Sequence, residues 1–322
     1  MELIRPGRPD GRDIPEREPD TITMSTETST NFGLLSAVFL QRLERLALVA
    51  KKLQLGMAKG ERKSKRKGSS VEFADYRDYV QGDDLRHVDW NIFGRLESLY
   101  LKLFQEQEDL TVHLLIDASR SMAFGTPPKI VLATKLAAAI GYIGLVGYDR
   151  VSAESFADGM THRLAPCRGR AHAGKLLTFL SAVRADGKTA LEDSTKSYIL
   201  RNRAKGVAVL FSDFLDPEGY EGCLRRLLQS GSDCYAVHVL SREEIDPPIA
   251  GDLKLLDSEY AMHVEVSASP ALLKRYKKNL EGFCESIRTY CLARGISYIF
   301  APSDESLERL ALDAFRRGGL FK

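Results

Sequence analysis

Leu114-Leu115-Ile116-Asp117-Ala118-Ser119-Arg120-Ser121-Met122 is the stretch on which the reading of the fold turns. The apolar run from Thr111 to Ile116 has the length and continuity of a strand buried on both faces, as strands of a parallel sheet are. At its carboxyl end the chain presents Asp117, Ser119 and Ser121. Open α/β sheets bind ligands in the crevice beyond the carboxyl ends of their strands, so position alone makes this a candidate site. One carboxylate and two hydroxyls at alternate positions are hard oxygen donors. Such donors suit Mg²⁺, which takes about six oxygens and keeps some of them as water or ligand. Helix capping by Asp and Ser accounts for this stretch, taken alone, equally well.

Two later stretches add to it. Val207 to Phe211 reads as a second buried strand and also ends in polar residues, Ser212 and Asp213. Between the two strands, Gly187-Lys188-Thr189-Ala190-Leu191 forms a turn before a helical pattern from Leu191 to Arg201, which puts the Thr189 hydroxyl at a loop-to-helix junction. The candidate metal ligands are therefore Asp117, Ser119, Ser121, Thr189 and Asp213.

Outward from these strands the pattern alternates. Helices are expected at 130–148, 171–183, 191–201, 217–229, 270–294 and 305–315, with strands at 150–156, 163–167, 207–211, 234–240 and 296–300. A two-stranded excursion is expected at 253–256 and 263–266, and Ser269-Pro270 has the form of a helix start. Alternation of this kind predicts an α/β fold with a doubly wound, mainly parallel sheet over 111–322. Ahead of it lie a polar tail, 1–31, expected to be disordered, and an extension, 32–110, that opens with an amphipathic helix. Met24 is a possible alternative start.

In order and context, Asp117-x-Ser119-x-Ser121, Thr189 and Asp213 resemble the metal-ion-dependent adhesion site of von Willebrand factor A domains. The resemblance implies that these five residues hold one Mg²⁺ or Mn²⁺ ion and that an acidic side chain of a protein partner completes its shell. Lys188 departs from the pattern, in which a glycine commonly precedes the threonine. The extension carries a further signature in Glu72, Phe73, Tyr76, Arg77, Tyr79, Gly82, Asp83, Arg86, Asp89, Trp90 and Arg95. Together with the A-type domain it resembles the domain-of-unknown-function 58 family over about 43–312. That resemblance implies a non-enzymatic adaptor or co-chaperone working with a MoxR-type AAA+ ATPase. Many members of the family begin with membrane helices; none is read in this sequence.

Composition narrows the alternatives. The 322 residues, 44% of them hydrophobic, can build a sizeable core, and a net charge of +2 gives no overall field for nucleic acid or membrane. The basic run Lys59 to Lys67 is the local exception, read as a solvated loop or, alternatively, a phosphate-binding patch that would make nucleic-acid binding salt-dependent. Five scattered cysteines without a Cys-x-x-Cys pair predict reduced thiols and a cytoplasmic protein, and no secretory signal is read at the amino terminus. Ile130 to Tyr148 is apolar over nearly spanning length but contains Lys135, which costs about 2.5 to 3.5 kcal/mol at a membrane centre. It is expected to be the buried first helix of the domain, its small residues allowing close approach to the strands. Asp83, Asp84, His87 and Asp89 lie among Arg77, Arg86 and Arg95 and are expected to be ion-paired rather than a second site. For chemistry, no Gly-x-Ser-x-Gly elbow occurs, and no Gly-x-x-x-x-Gly-Lys run is followed by the Ser or Thr that a phosphate-binding loop requires, since Leu176 follows Gly169 to Lys175. A metal-dependent hydrolase or phosphatase using Asp117 and Asp213 is the alternative to a binding module.

Overall fold

The computed structural model describes residues 2–3, 41–42, 45, 71–81, 83–106, 111–157, 160–202, 206–249, 251–256 and 263–316. Strand β1 (Glu2–Leu3) and a hairpin of β2 (Val71–Asp78) and β3 (Tyr100–Glu106) precede the main sheet. The main sheet takes β4 (Thr111–Asp117), β5 (Arg150–Ala157), β6 (Met160–Arg168), β7 (Val207–Ser212) and β8 (Asp233–Leu240). The excursion follows as β9 (Gly251–Leu256) and β10 (His263–Ala268), an antiparallel pair, and β11 (Ser297–Pro302) returns to the main sheet. The helices are α1 (Trp90–Leu96), α2 (Lys129–Val146), α3 (Ala173–Ala182), α4 (Leu191–Arg201), α5 (Glu221–Gln229), α6 (Arg242–Ile245), α7 (Pro270–Leu292) and α8 (Leu307–Arg316).

Main-sheet order is β11-β8-β7-β4-β5-β6, with only β6 antiparallel to its neighbour. This is the doubly wound order, in which the chain starts in the middle, builds outward through β5 and β6, then returns to build the other half from β7. The direction of winding switches between β4 and β7, and in such sheets the crevice at that switch point is where ligands bind. The expected fold class is thus the observed one.

Both faces of the sheet are covered. Val112, Leu114 and Ile116 face a core completed by α2, α3 and α8, while Leu115 and Leu210 face a second core with α4, α5 and α7. Every residue of β4 is buried, which explains its continuous apolar reading. Helix α2 is the one described helix long and apolar enough to cross a membrane, but 78% of it is buried inside this domain. Its small residues have the expected role. A Cβ added at Gly141 would stand 2.6 Å from a Leu176 methyl and 2.9 Å from one of Leu114, so the helix lies too close to the sheet for a side chain there.

Some boundaries differ from expectation. β6 is longer than 163–167 and bulged: Cys167 faces Val151 and Leu164 faces Ala153, so Ala165 and Pro166 together oppose Ser152. Helix α5 starts at Glu221 rather than near Pro217, because Gly219 donates its N–H to the Asp216 carbonyl at 2.9 Å and, with φ of 85°, closes a turn first. Helix α7 starts where expected, with Ser269 accepting from the Leu272 N–H and Pro270 at its first position. Within 1–31, Glu2 and Leu3 pair with Leu256 and Leu255, using backbone groups on the edge of β9 that β10 does not reach, and the rest of the tail expected to be disordered lies outside the described residues. Of the expected helix in 32–55, Gln41, Arg42 and Arg45 are helical, and Arg42 pairs with Glu308 of α8 at 3.2 Å. The rest of that helix and the basic run 59–67 lie outside the described residues.

The chain divides into two compact units, one of them 55–109, to which the described residues 71–81 and 83–106 belong. In this unit Asp83 pairs with Arg77 and Asp84 with Arg86, each at 2.8 Å. Asp89 caps α1 by accepting from the Asn91 and Ile92 N–H groups and also takes the Tyr76 hydroxyl at 3.1 Å. Asp83 and Asp84 are ion-paired as expected, whereas the contacts of Asp89 are a helix cap and a tyrosine hydroxyl. Trp90 meets Phe93 edge to face and remains largely exposed.

Candidate metal centre

Asp117 is the last residue of β4, Ser212 is the last of β7, and Asp213 follows it, so both carboxylates emerge on neighbouring strands at the switch point. Both are fully buried. Asp117 Oδ1 accepts the Ser119 N–H at 3.0 Å and Oδ2 accepts the Ser212 hydroxyl at 2.6 Å. Asp213 Oδ1 accepts the Leu215 N–H at 3.0 Å, and Oδ2 accepts the Ser121 hydroxyl at 2.8 Å. Ser119 Oγ and Ser121 Oγ stand 3.0 Å apart and link the two halves.

Ser119 and Ser121 are not helix caps. Ser119 precedes a short 3-10 turn, 120–123, without a side-chain capping bond, and α2 begins later, after Pro128. Their hydroxyls are instead committed to the site. Thr189 is buried and arrives on a loop that is stitched to the first one. Asp186 donates its N–H to the Ala118 carbonyl at 2.8 Å, and Arg120 donates its own to the Gly187 carbonyl at 2.9 Å. Asp117, Ser119, Ser121 and Asp213 thus form one interlocked set, and Thr189 stands two residues beyond the stitch.

A group outside the sequence reading completes the picture. Lys129, the first residue of α2, places Nζ 2.7 Å from Asp213 Oδ2 and 2.6 Å from Glu244 Oε1, with no exposure of its side chain. The signal for it was present in sequence, because a lysine opening a helix faces the positive end of the helix dipole and needs carboxylates supplied from elsewhere. Ser212, read only as a strand end, also serves the site through its bond to Asp117.

The two aspartates differ electrostatically. Burial, reinforced by the charge of Asp213, pushes the Asp117 carboxyl up to about 7, against the opposing hydrogen bonds from Ser212 and Ser119. Burial also pushes Asp213 up, but the Lys129 ammonium outweighs it and holds the carboxyl below its ordinary range. The neighbouring His238 is driven down to about 4 by burial, so at neutral pH it brings no charge to the strand ends.

The donor chemistry fits a hard divalent ion. Two carboxylates and three hydroxyls offer oxygen only, which suits Mg²⁺ or Mn²⁺ over softer metals. Among the described residues no group of three His, Cys, Asp or Glu side chains is placed to hold a metal ion by itself, so an ion here would need hydroxyls as well.

Comparison with known proteins bears on about two thirds of the chain. The family model described as "Protein of unknown function DUF58" matches residues 75–282. The chain belongs to the DUF58 family. Among relatives, it is 30% identical over 240 residues to uncharacterized protein Rv1480 of Mycobacterium tuberculosis (strain ATCC 25618 / H37Rv), covering 71% of this chain and 74% of that one. Uncharacterized protein Mb1516 of Mycobacterium bovis matches over the same length at the same identity and coverage. Among solved structures, conserved hypothetical protein BatB from Bacteroides thetaiotaomicron is 12% identical with a TM-score of 0.40, covering 65% of this chain and 100% of that one. The SpRpn10 VWA domain is likewise 12% identical, with a TM-score of 0.39 and coverage of 66% and 97%. The DUF58 match begins within β2, includes β3 and both aspartates, and ends within α7.

Proposed function

We propose that this DUF58 protein is a Mg²⁺- or Mn²⁺-dependent protein-binding module of the cytoplasm, working as adaptor or co-chaperone to a MoxR-type AAA+ ATPase. One observation carries the binding chemistry: Asp117, Ser119, Ser121 and Asp213 are interlocked at the switch point of the sheet, with oxygen the only donor element among them. Asp117 is the side chain best placed to take an ion. Its oxygens accept from the Ser119 N–H, the Ser212 hydroxyl and the Ser119 hydroxyl, neutral donors that leave part of the acceptor capacity of the carboxylate unused. Ser119, Ser121 and Thr189 add neutral donors, so the site holds a cation without accumulating the charge of a purely acidic cage. When bound, the ion offers a positive centre that an Asp or Glu of the partner can join. The stitched backbones of the 118–120 and 186–187 loops hold the hydroxyls in place before any partner arrives, which lowers the ordering cost of binding. The assignment of a MoxR-type partner rests on family resemblance alone.

Affinity capture with the full-length chain tests the reading, run in Mg²⁺, in EDTA and with Asp117→Ala. Enrichment of an AAA+ ATPase only by wild-type protein in Mg²⁺ is the expected result. Equal recovery in all three conditions would sink it and direct attention to the 72–95 block. A Mg²⁺-dependent phosphoester turnover abolished by Asp117→Ala would replace the binding module with the hydrolase reading.

A further inference from the structure

Lys129 is a cation already inside the site. Its Nζ has no solvent contact and lies within ion-pairing distance of two carboxylates, 2.7 Å from Asp213 Oδ2 and 2.6 Å from Glu244 Oε1. The helix it opens does not call for it, since its first turn carries no acidic residue and its dipole disfavours a cation there. The carboxylates keep it. Glu244 is itself fixed: its Oε2 accepts the Ser241 N–H at 2.7 Å, its N–H goes to Ser241 Oγ at 3.1 Å, and its carbonyl accepts the Tyr276 hydroxyl at 2.8 Å. The ammonium therefore sits between two anchored groups. At Asp213, Oδ2 holds both the Ser121 hydroxyl and Lys129 while Oδ1 holds a backbone N–H, so protein groups alone fix this carboxylate.

We propose that Lys129 is a resident cation of the oxygen site, which keeps Asp213 charged and oriented in the ion-free protein and sets the affinity for a divalent ion through its own charge. This rests on the metal reading above. With Asp117 ionised, three carboxylates against one ammonium leave two uncompensated charges, the charge of one divalent ion. Without the ammonium a third is uncompensated, and the site attracts a divalent ion more strongly while the ion-free fold loses its internal counter-charge. Lys129 thus trades affinity for a fold that stands without metal.

The test is Mn²⁺ titration of the full-length chain by electron paramagnetic resonance, with the melting midpoint in EDTA, for wild type and Lys129→Met. Wild type is expected to bind Mn²⁺ and stay folded in EDTA. K129M is expected to bind at least about tenfold tighter, as removal of a unit charge a few ångströms away implies. Its midpoint in EDTA falls and Mn²⁺ restores it. Binding by K129M alone also supports the proposal, since the ammonium then occupies the place of the ion. Should wild type bind while K129M binds equally or more weakly, the proposal is overturned and the metal reading stands. If neither protein binds, both fall. K129M leaves two carboxylates unpaired in a dry site, so K129M/E244Q is the second variant: it removes the ammonium together with one counter-charge. It is expected to bind tighter than wild type by a smaller factor, and unchanged or weaker binding counts against the proposal.

Discussion

Asp117 and Asp213 stand at the ends of adjacent parallel strands, are equally buried and accept hydrogen bonds from the same kinds of donor, yet burial wins at one and loses at the other. The difference is one ammonium. Removing water raises the free energy of any charged carboxyl, and neutral donors recover only part of that, so a charged donor at 2.7 Å decides the outcome for Asp213. Two residues that sequence treats alike are thus separated by a lysine 84 positions away from one of them.

Breaking the charged half should cost most. Asp213→Ala leaves Lys129 buried with a single partner and deprives Ser121 of its acceptor. A loss of about 3–5 kcal/mol is expected, measured as the urea midpoint in EDTA. A smaller loss, near that of an exposed ion pair, would mean Lys129 does not depend on Asp213.

The next effect separates the two by pH. In ion-free protein Asp117 binds its proton more tightly folded, near 7, than unfolded, so the fold holds more protons than the unfolded chain between these values. Stability therefore falls as pH rises through about 7, by on the order of 3–4 kcal/mol from pH 4 to pH 8.5. Asp213 acts in the opposite sense: its contribution is present above its unfolded value and lost as pH falls through the lowered folded one, in the acid range. Urea midpoints in EDTA across pH should show the neutral-range decline, and Asp117→Asn should flatten it.

At pH 8.5 in EDTA, Asp117→Asn should itself gain about 1–2 kcal/mol by removing an uncompensated buried charge, while abolishing Mn²⁺ binding. A stabilised variant that still binds Mn²⁺ normally would remove Asp117 from the site. Ser212→Ala is expected to cost about 1 kcal/mol and to move the pH-dependent decline upward, because it withdraws a donor from the charged form of Asp117. At the small end, Asp84→Asn in the separate unit breaks an exposed pair with Arg86 and should leave both the melting midpoint and Mn²⁺ affinity unchanged.

Much of the fold was legible because its signals are local. Continuous apolar runs announce strands buried on both faces, as Thr111 to Ile116 and Val207 to Phe211 do, and polar residues just past them mark the crevice. The choice between capping and ligation at Ser119 and Ser121 was not legible, because both uses need the same residue types at the same spacing. What the structure adds is that the hydroxyls do not cap a helix: Ser119 makes no side-chain cap bond and Ser121 donates across the sheet to Asp213. Lys129 escaped notice for a related reason: its place at the start of a helix signals that carboxylates are needed, but Asp213 and Glu244, which supply them, are distant in sequence. The start of α5 was misplaced because Pro217 can open a helix or a turn, and Gly219 chose the turn. The pairing of Glu2 and Leu3 with β9 was invisible in a segment that has few large apolar residues and no strand-length run of them.

The bulge in β6 matters for how molecules of this protein meet one another. As the outermost strand beyond β5, β6 offers a rim where a second molecule could add a strand of its own. Ala165 and Pro166 crowd opposite Ser152 at its centre, the proline contributes no N–H, and Arg163 and Arg168 flank them in solvent. A rim kinked, short of a donor and positively charged on both sides of the kink is a poor template, so this edge of the sheet resists the association between copies that a flat strand would invite.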